Sequence, residues 1–399
     1  MNLLFLGGFF ENEMEEEIIK DSKGIVQYAA NKFQWNLIDG FEKQNDSTLT
    51  LLSAPFVGAF PKYYKKLYFK SESNSYVDFN NIWGYKNISR KRALIERINQ
   101  FVNIESDEKV IIVYSPHTPF LQAAVQAKKN DPSIHICLVV PDLPEFMNLS
   151  DKKTMIYKIF KKIDIYVLYK NLKHVDSYVL LTDQMKEMLP INQSPYTVIE
   201  GLVKQQVNPL SCQSDEINNE NKSILYTGTL NKKFGVLNLI KAFIEMNETD
   251  ITLNVCGSGD AELEIKNYSN KYPNIKFWGQ VSNDKALELQ NSATVLVNPR
   301  QNNELFTRYS FPSKNMEYLL SGKPLVAYKL DGIPDEYDLY IQYVENDEIS
   351  TLARKLKTVV NMPTHEREEI GRKGQKFVLN EKNNVIAVGK IIEMIRNAR

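Results

Sequence analysis

Short apolar runs alternate with helix-forming segments twice along this chain. One polar stretch, SCQSDEINNENKS (211–223), separates the two series. The first series has extended runs at Leu3–Leu6, Leu49–Val57, Val110–Tyr114, Ile134–Val140, Tyr178–Leu181 and Tyr196–Ile199. The second has them at Ile224–Thr227, Ile251–Cys256, Ile275–Trp278, Thr294–Val297 and Leu325–Ala327. Alternation of this kind predicts parallel sheets covered by helices on both faces. At 399 residues the chain is too long for one ordinary core, so two doubly wound domains are expected. A cleft between them is the usual place for a ligand. The expected boundaries are 1–205 and 206–379, with a linker over about 206–223. A terminal helix in 380–399 is expected to pack back on the first domain.

Charge and cysteine usage narrow the function classes. Lys+Arg and Asp+Glu both number 49, so there is no global basic field for nucleic acid. Cys137, Cys212 and Cys256 are far apart and odd in number. They suit a reducing, cytoplasmic compartment and neither a disulfide framework nor a zinc site. The start, MNLLFLGGFF, lacks a basic segment and breaks at Gly7-Gly8, before an acidic loop from Glu11 to Glu17. It reads as a buried first strand rather than a signal peptide. No apolar run approaches 18 residues, the length a membrane span needs.

The most informative stretch is NPRQNNELFTRYSFPSKNMEYLLSGKPLVAYKLDG (298–332). It is a strand–loop–helix–strand unit, with Gly322 and Pro324 marking the helix end. The helix N-terminus can face an anion; Arg300, Arg308 and Lys314 surround it, and Glu317 sits one turn in. A diphosphate beside a ribose would suit this set, and an ordinary βαβ unit with surface charge has the same spacing. His117 follows the strand Val110–Tyr114, at the sheet edge where ligands bind. His135, between Ile134 and Ile136, reads as structural. Ser22-Lys23-Gly24 precedes a helix from about Ile25 to Ile38. Glycine there allows close ligand approach, and a tight turn would also use it. The turn Gly257–Asp260 lacks the third glycine of a dinucleotide fingerprint. Three stretches, 61–70, 86–97 and 152–173, mix cations with aromatic or apolar residues. They suit peripheral contact with an anionic membrane, and solvated helix faces over buried rings have the same composition.

These residues resemble a known family. YTGTLNKKFGVLNLIKAF (226–243), VCGSGD (255–260), FWGQVSNDKALELQNSATVLVNPR (277–300) and FPSKNMEYLLSGKPLVA (311–327) are similar to GT-B glycosyltransferases of family 4, bacterial surface-polysaccharide enzymes among them. The pieces come in family order and cover most of 224–345. The first half matches more loosely, through LFLGG, VPDLPEFM (140–147) and LLTDQM. The resemblance implies an α/β GT-B fold of two Rossmann-like domains facing a central cleft. It also implies a retaining transferase that moves a sugar from a nucleotide-sugar, UDP-linked for preference, to a lipid-linked saccharide at the inner face of the plasma membrane. Glu317 then matches the ribose ligand, and Ser313 and Lys314 the helix start beside the diphosphate. Gly228 and Thr229 form the first donor-side turn, with Lys232 or Lys233 as its basic residue. Arg300 is the basic position before the variable loop, Gly24 the phosphate-facing loop, and His117 lies near the transferred sugar. Two positions depart from the family: Thr229 stands where many members have arginine, and Tyr309 where many have a second glutamate. No D-x-D triplet occurs, and the resemblance implies neither metal nor cofactor. A same-fold epimerase or phosphorylase, or a non-catalytic partner subunit, stays open as an alternative.

Overall fold

The computed structural model describes residues 1–24, 26–104, 108–146, 155–205 and 222–399, with 155–158 described by backbone only. Most of the expected linker, residues 206–221, lies outside the described residues, as do Lys152, Lys153 and Met147. The chain divides into two compact units: Met1–Lys204 with Asn384–Arg399, and Gln205–Asn383.

The first unit contains β1 (Asn2–Gly7), β2 (Thr48–Ser53), β3 (Tyr68–Phe69), β4 (Phe79–Asn80), β5 (Lys109–Tyr114), β6 (His135–Val140), β7 (Ser177–Leu180) and β8 (Tyr196–Val198). Six of these form one parallel sheet in the order β2-β1-β5-β6-β7-β8, and β3 and β4 make a separate antiparallel pair. The central strands β5 and β6 are buried along their whole length. This is why they read as continuous apolar runs rather than as alternation. The helices are α1 (Asn12–Asp21), α2 (Tyr28–Glu42), α3 (Lys86–Val102), α4 (Thr118–Asn130) and α5 (Met155–Leu172).

Two local expectations are corrected here. The acidic run is not a loop but most of α1, with Glu13 and Glu15 in the first turn. Carboxylates there favour the helix dipole, and Ile18 supplies a buried anchor. Residues 61–70 are not a helix face; they form a turn that runs into β3.

The second unit contains β9 (Lys222–Thr227), β10 (Ile251–Cys256), β11 (Ile275–Gly279), β12 (Val295–Asn298), β13 (Leu325–Tyr328) and β14 (Ile341–Val344). All pair in parallel, in the order β11-β10-β9-β12-β13-β14. Its helices are α6 (Val236–Met246), α7 (Glu262–Lys271), α8 (Asn283–Ser292), α9 (Ser313–Leu320), α10 (Ile349–Val360) and α11 (Thr364–Glu381). In α6 the buried residues Val236, Leu239, Ile240 and Phe243 recur at three- and four-residue steps, an amphipathic helix lying on the sheet. The edge strand β14 has no counterpart in the sequence reading, because IQYV is short and only half-buried at its centre.

The final helix, α12 (Asn384–Asn397), belongs to the first unit and packs on α2. Asn384 anchors it. Its backbone N–H donates to Val203 O at 2.8 Å, and its side-chain amide donates to Asn36 O at 3.0 Å and Asp39 Oδ2 at 2.7 Å. Gly40 permits the approach, since a Cβ there would lie 2.6 Å from Asn384 O.

Candidate active site

The second sheet has the strand order in which the connections reverse between its first and fourth strands, β9 and β12. In an open parallel sheet that reversal opens a crevice at the carboxyl ends of the two strands. The loops entering it are Gly228–Gly235 after β9 and Pro299–Pro312 after β12. Gly235 holds them together: its φ is +77°, and a Cβ would lie 2.1 Å from Pro299 O. Gly257 does the same on the other side, where a Cβ would meet Gly228 O at 1.8 Å. The glycines of 257–260 therefore answer to loop packing, whatever else they bind.

Arg300 is the focal cation of this crevice. Its guanidinium donates to Ser310 Oγ at 2.8 Å, and its carbon lies 5.3 Å from the Phe234 ring and 4.8 Å from the Phe306 ring. Burial pushes its pKa down to about 10, so it remains charged at neutral pH. Its Nε is buried and has no hydrogen-bond partner. Lys233 adjoins Phe234 and lies 3.6 Å from Glu304. Lys232 is turned away: its ammonium pairs with Glu264 of α7 and its backbone N–H donates to Asp260 Oδ1 at 2.9 Å. Of the two adjacent lysines, Lys233 is thus the one tied to the loop that carries Arg300. Thr229 contributes its carbonyl, which accepts from the Tyr226 hydroxyl at 2.9 Å.

Helix α9 is set against this crevice by two buried contacts. Tyr318 accepts from Thr227 N at 2.8 Å and donates to Thr227 O at 3.0 Å. Asn315 accepts from Asn298 Nδ2 at 2.7 Å. Both clasps join α9 to the carboxyl ends of β9 and β12, so the open first-turn N–H groups of the helix are held at the crevice. Ser313 is exposed in that first turn. Lys314 Nζ lies 2.6 Å from Glu317 Oε2. A part-exposed ion pair of this kind is weak, so a ligand can divide it, drawing the cation to an anion and the carboxylate to hydroxyl donors. The second unit therefore brings Arg300, Lys233, Lys314 and Glu317 to loops that share one crevice. Tyr318 and Asn315, its rigid supports, gave no sequence signal beyond lying one and two residues from Glu317. Among the described residues, no group of three or more His, Cys, Asp or Glu side chains is placed to hold a metal ion.

In the first unit the connections reverse between β1 and β5. His117 follows β5 at that point and caps α4. Its ring meets Phe56 and Phe120 edge-on, at centroid distances of 5.7 and 4.8 Å. Burial first, then Arg90 and Lys86, push its pKa well below the usual histidine range, so it is neutral. Gly24 is exposed, 3.6 Å at its Cβ position from the Tyr63 ring, with Lys23 N–H donating to Tyr63 O at 2.9 Å. His135 is a core residue bonded to Ser177 Oγ at 2.8 Å.

The three basic stretches divide differently from their expected grouping. In 86–97, Lys86 and Arg90 point inward, to the carbonyls of Val57 and Pro55. Arg90 is only 2% exposed. The Arg90 guanidinium lies 4.4 Å from the centre of the buried Phe79 ring. In 61–70, Lys66 is paired with Glu17 and Asp21, while Tyr63, Leu67 and Tyr68 are exposed. In 152–173, the apolar residues Ile159, Phe160, Ile163 and Tyr166 of α5 are themselves exposed. Phe160 meets Trp83 edge-on at 6.1 Å. Among the described residues, no helix is long and apolar enough to cross a membrane.

Comparison with known proteins bears on the second unit directly and on the whole chain through its fold. Residues 209–377 match the model of the family glycosyl transferases group 1. No curated protein matches the chain. Among solved structures, sucrose-phosphate synthase from Thermosynechococcus elongatus aligns over 100% of both chains at 13% identity, with a TM-score of 0.62. The lipopolysaccharide outer core galactosyltransferase WaaB aligns over 100% of both chains at 14% identity and a TM-score of 0.61. Anabaena HepE in complex with UDP aligns over 100% of both chains at 13% identity and a TM-score of 0.61. Identities this low speak for the fold alone. The chain has the GT-B fold, two Rossmann-like α/β domains, and its residues 209–377 are similar in sequence to the glycosyl transferases group 1 family.

Proposed function

We propose that the chain is a retaining glycosyltransferase that moves a sugar from a nucleotide-sugar, for preference a UDP-sugar, to a lipid-linked saccharide in bacterial polysaccharide assembly. The observation that carries this reading is the β9/β12 crevice. A half-buried arginine on a loop and a helix N-terminus with its lysine and carboxylate sit there within the matched residues. Glu317 accepts hydrogen bonds from the two ribose hydroxyls, which suits a carboxylate. Arg300, Lys233, Lys314 and the first turn of α9 receive the diphosphate, with Ser313, Gly228, Thr229 and Lys232 lining its approach. Breaking the sugar–phosphate bond leaves negative charge on the departing diphosphate. Preorganised cations and helix N–H groups stabilise that charge without a metal ion. We assign His117 to the transferred sugar and Gly24 to the donor phosphates. The neutral imidazole donates or accepts a hydrogen bond without adding charge beside a developing oxocarbenium ion. No carboxylate pair is assigned to a double displacement, so the acceptor attacks on the face from which the diphosphate leaves. UDP in the HepE structure supports the choice of nucleotide.

We place the enzyme in the cytoplasm, peripheral at the inner face of the plasma membrane. The exposed rings of Trp83, Phe160 and Tyr166, with lysines around them, support that placement.

The test is Glu317→Ala. Loss of a charge-assisted hydrogen bond costs about 1.5–3 kcal/mol, so UDP affinity should fall roughly 10- to 100-fold while circular dichroism is unchanged. Turnover and UDP affinity equal to the parent would overturn the assignment.

A further inference from the structure

Lys86 and Arg90 lie one turn apart on α3 and both reach into the first unit. The Arg90 guanidinium donates to Pro55 O and the Lys86 ammonium to Val57 O. Phe56, the residue between those two carbonyls, packs its ring on His117, and its N–H donates to Gly8 O at 3.0 Å. The cluster therefore stands at the carboxyl ends of β1 and β5, where the sheet connections reverse and ligands enter.

What the cluster lacks is an anion. Among the described residues neither Lys86 nor Arg90 has an acidic partner. Burial lowers Lys86 to about 6, helped by Arg90, and burial alone lowers Arg90 to about 9. Keeping a buried lysine or arginine charged without a counter-charge is costly, so Lys86 sheds its proton near neutral pH unless an anion holds it, and proteins keep buried polar groups bonded. Three donors here are buried and unbonded or able to become donors: Arg90 Nε, Thr118 Oγ1 and His117 Nδ1. Thr118 opens α4, a helix of 13 residues, so the helix dipole adds to the same sign of field.

We propose that Lys86, Arg90, His117 and Thr118 form a subsite for a phosphoryl group carried by the acceptor. A phosphoryl group offers several strong, charged acceptor oxygens, which matches this set of donors better than the single neutral oxygen of a hydroxyl. The assignment to the acceptor rests on the transferase reading; the assignment of an oxyanion to the subsite does not. A ring with two nitrogens can serve both the transferred sugar and this group.

The test uses the full chain and methyl phosphate, at constant ionic strength. With four histidines in the chain, the imidazole nitrogen signals of His117 can be assigned from a His117→Gln spectrum. Methyl phosphate should move them saturably, and Lys86→Met should weaken that midpoint at least tenfold. Arg90→Met should abolish it, and if Arg90→Met fails to fold, Lys86→Met decides alone. His117 signals unmoved up to the solubility limit of the probe overturn the subsite. Equal shifts with acetate overturn its phosphoryl character. An unchanged midpoint in Lys86→Met assigns the two cations to bracing the 55–57 loop and overturns it too. In turnover assays, methyl phosphate should raise the acceptor KM without changing kcat. Inhibition independent of acceptor points to free phosphate and removes the acceptor assignment. A His117 shift in a protein with no sugar transfer would sink the transferase reading and leave the subsite standing.

Discussion

Each unit has its own six-stranded parallel sheet, and the two treat the cations near their strand ends differently. In the second, Lys314 has Glu317, Lys233 has Glu304, and Arg300 has Ser310 Oγ and two aromatic faces. In the first, Lys86 has a backbone carbonyl, Arg90 has a backbone carbonyl and the Phe79 ring, and among the described residues neither has a carboxylate. The units differ at the surface too. Among the described residues of the second, the exposed large apolar side chains, Leu263, Trp278, Leu287, Leu305 and Leu339, are spread singly along the chain. In the first, α5 alone exposes Ile159, Phe160, Ile163 and Tyr166, with Phe160 57% and Tyr166 72% exposed, and Trp83 beside them is 61% exposed. A compensated site can wait for its ligand at little cost. An uncompensated one spends stability to be ready, and apolar side chains left in water mark a surface meant to be covered.

Breaking the compensated side should have the largest effect. Arg300→Met removes a preorganised cation from the leaving group, and kcat should fall on the order of 100- to 1,000-fold. The aromatic sandwich of Phe234 and Phe306 can hold a methionine, so the melting temperature should barely move. Turnover within threefold of the parent would end the role given to the β9/β12 crevice.

The exposed α5 surface gives the next effect. Phe160→Asp with Tyr166→Asp should release the protein from anionic vesicles. Burying one such side chain is worth about 1.5–3 kcal/mol, so partitioning measured by flotation should drop at least tenfold. Undiminished binding would make this apolar surface a contact for something other than lipid.

The smallest effect sharpens the contrast in charge. Lys86→Met should stabilise the free protein by about 1 kcal/mol, because a functional residue without a counter-charge is replaced by a packed apolar one. The pH dependence carries a sign. Folded Lys86 titrates near 6, well below a lysine in the unfolded chain, so between those values the unfolded state holds the extra proton. Parent stability should therefore rise with pH from about 6 towards 10, and this slope should flatten in Lys86→Met. Denaturant midpoints across that range check it, and parallel curves for the two proteins would refute a Lys86 that gives up its proton on folding.

Much of this was legible from residues alone. Continuous apolar runs such as Val110–Tyr114 announced buried parallel strands, and Gly322 with Pro324 marked the end of α9. Arg300, Lys314 and Glu317 could be singled out because their positions follow from a strand end and a helix start. Other features left no trace of this kind. The acidic run was read as a loop because its charges hide one buried isoleucine, Ile18, the anchor of α1. Lys232 and Lys233 were indistinguishable until Glu264 was seen to claim the first. Lys86 and Arg90 were grouped with membrane-facing cations because they lie among lysines and arginines, yet α3 turns both inward.

By itself the sequence determined the alternation of strands and helices and the existence of two sheets. These depend on residues near one another along the chain, where periodicity and turn chemistry act. Only the tertiary structure decided which cations are neutralised and which are left bare. That depends on partners distant in sequence: Glu264 for Lys232, Tyr318 against Thr227, and the carbonyls of Pro55 and Val57 for Arg90 and Lys86. Burial sets the electrostatic cost of a charge, and burial is a property of packing rather than of any local pattern.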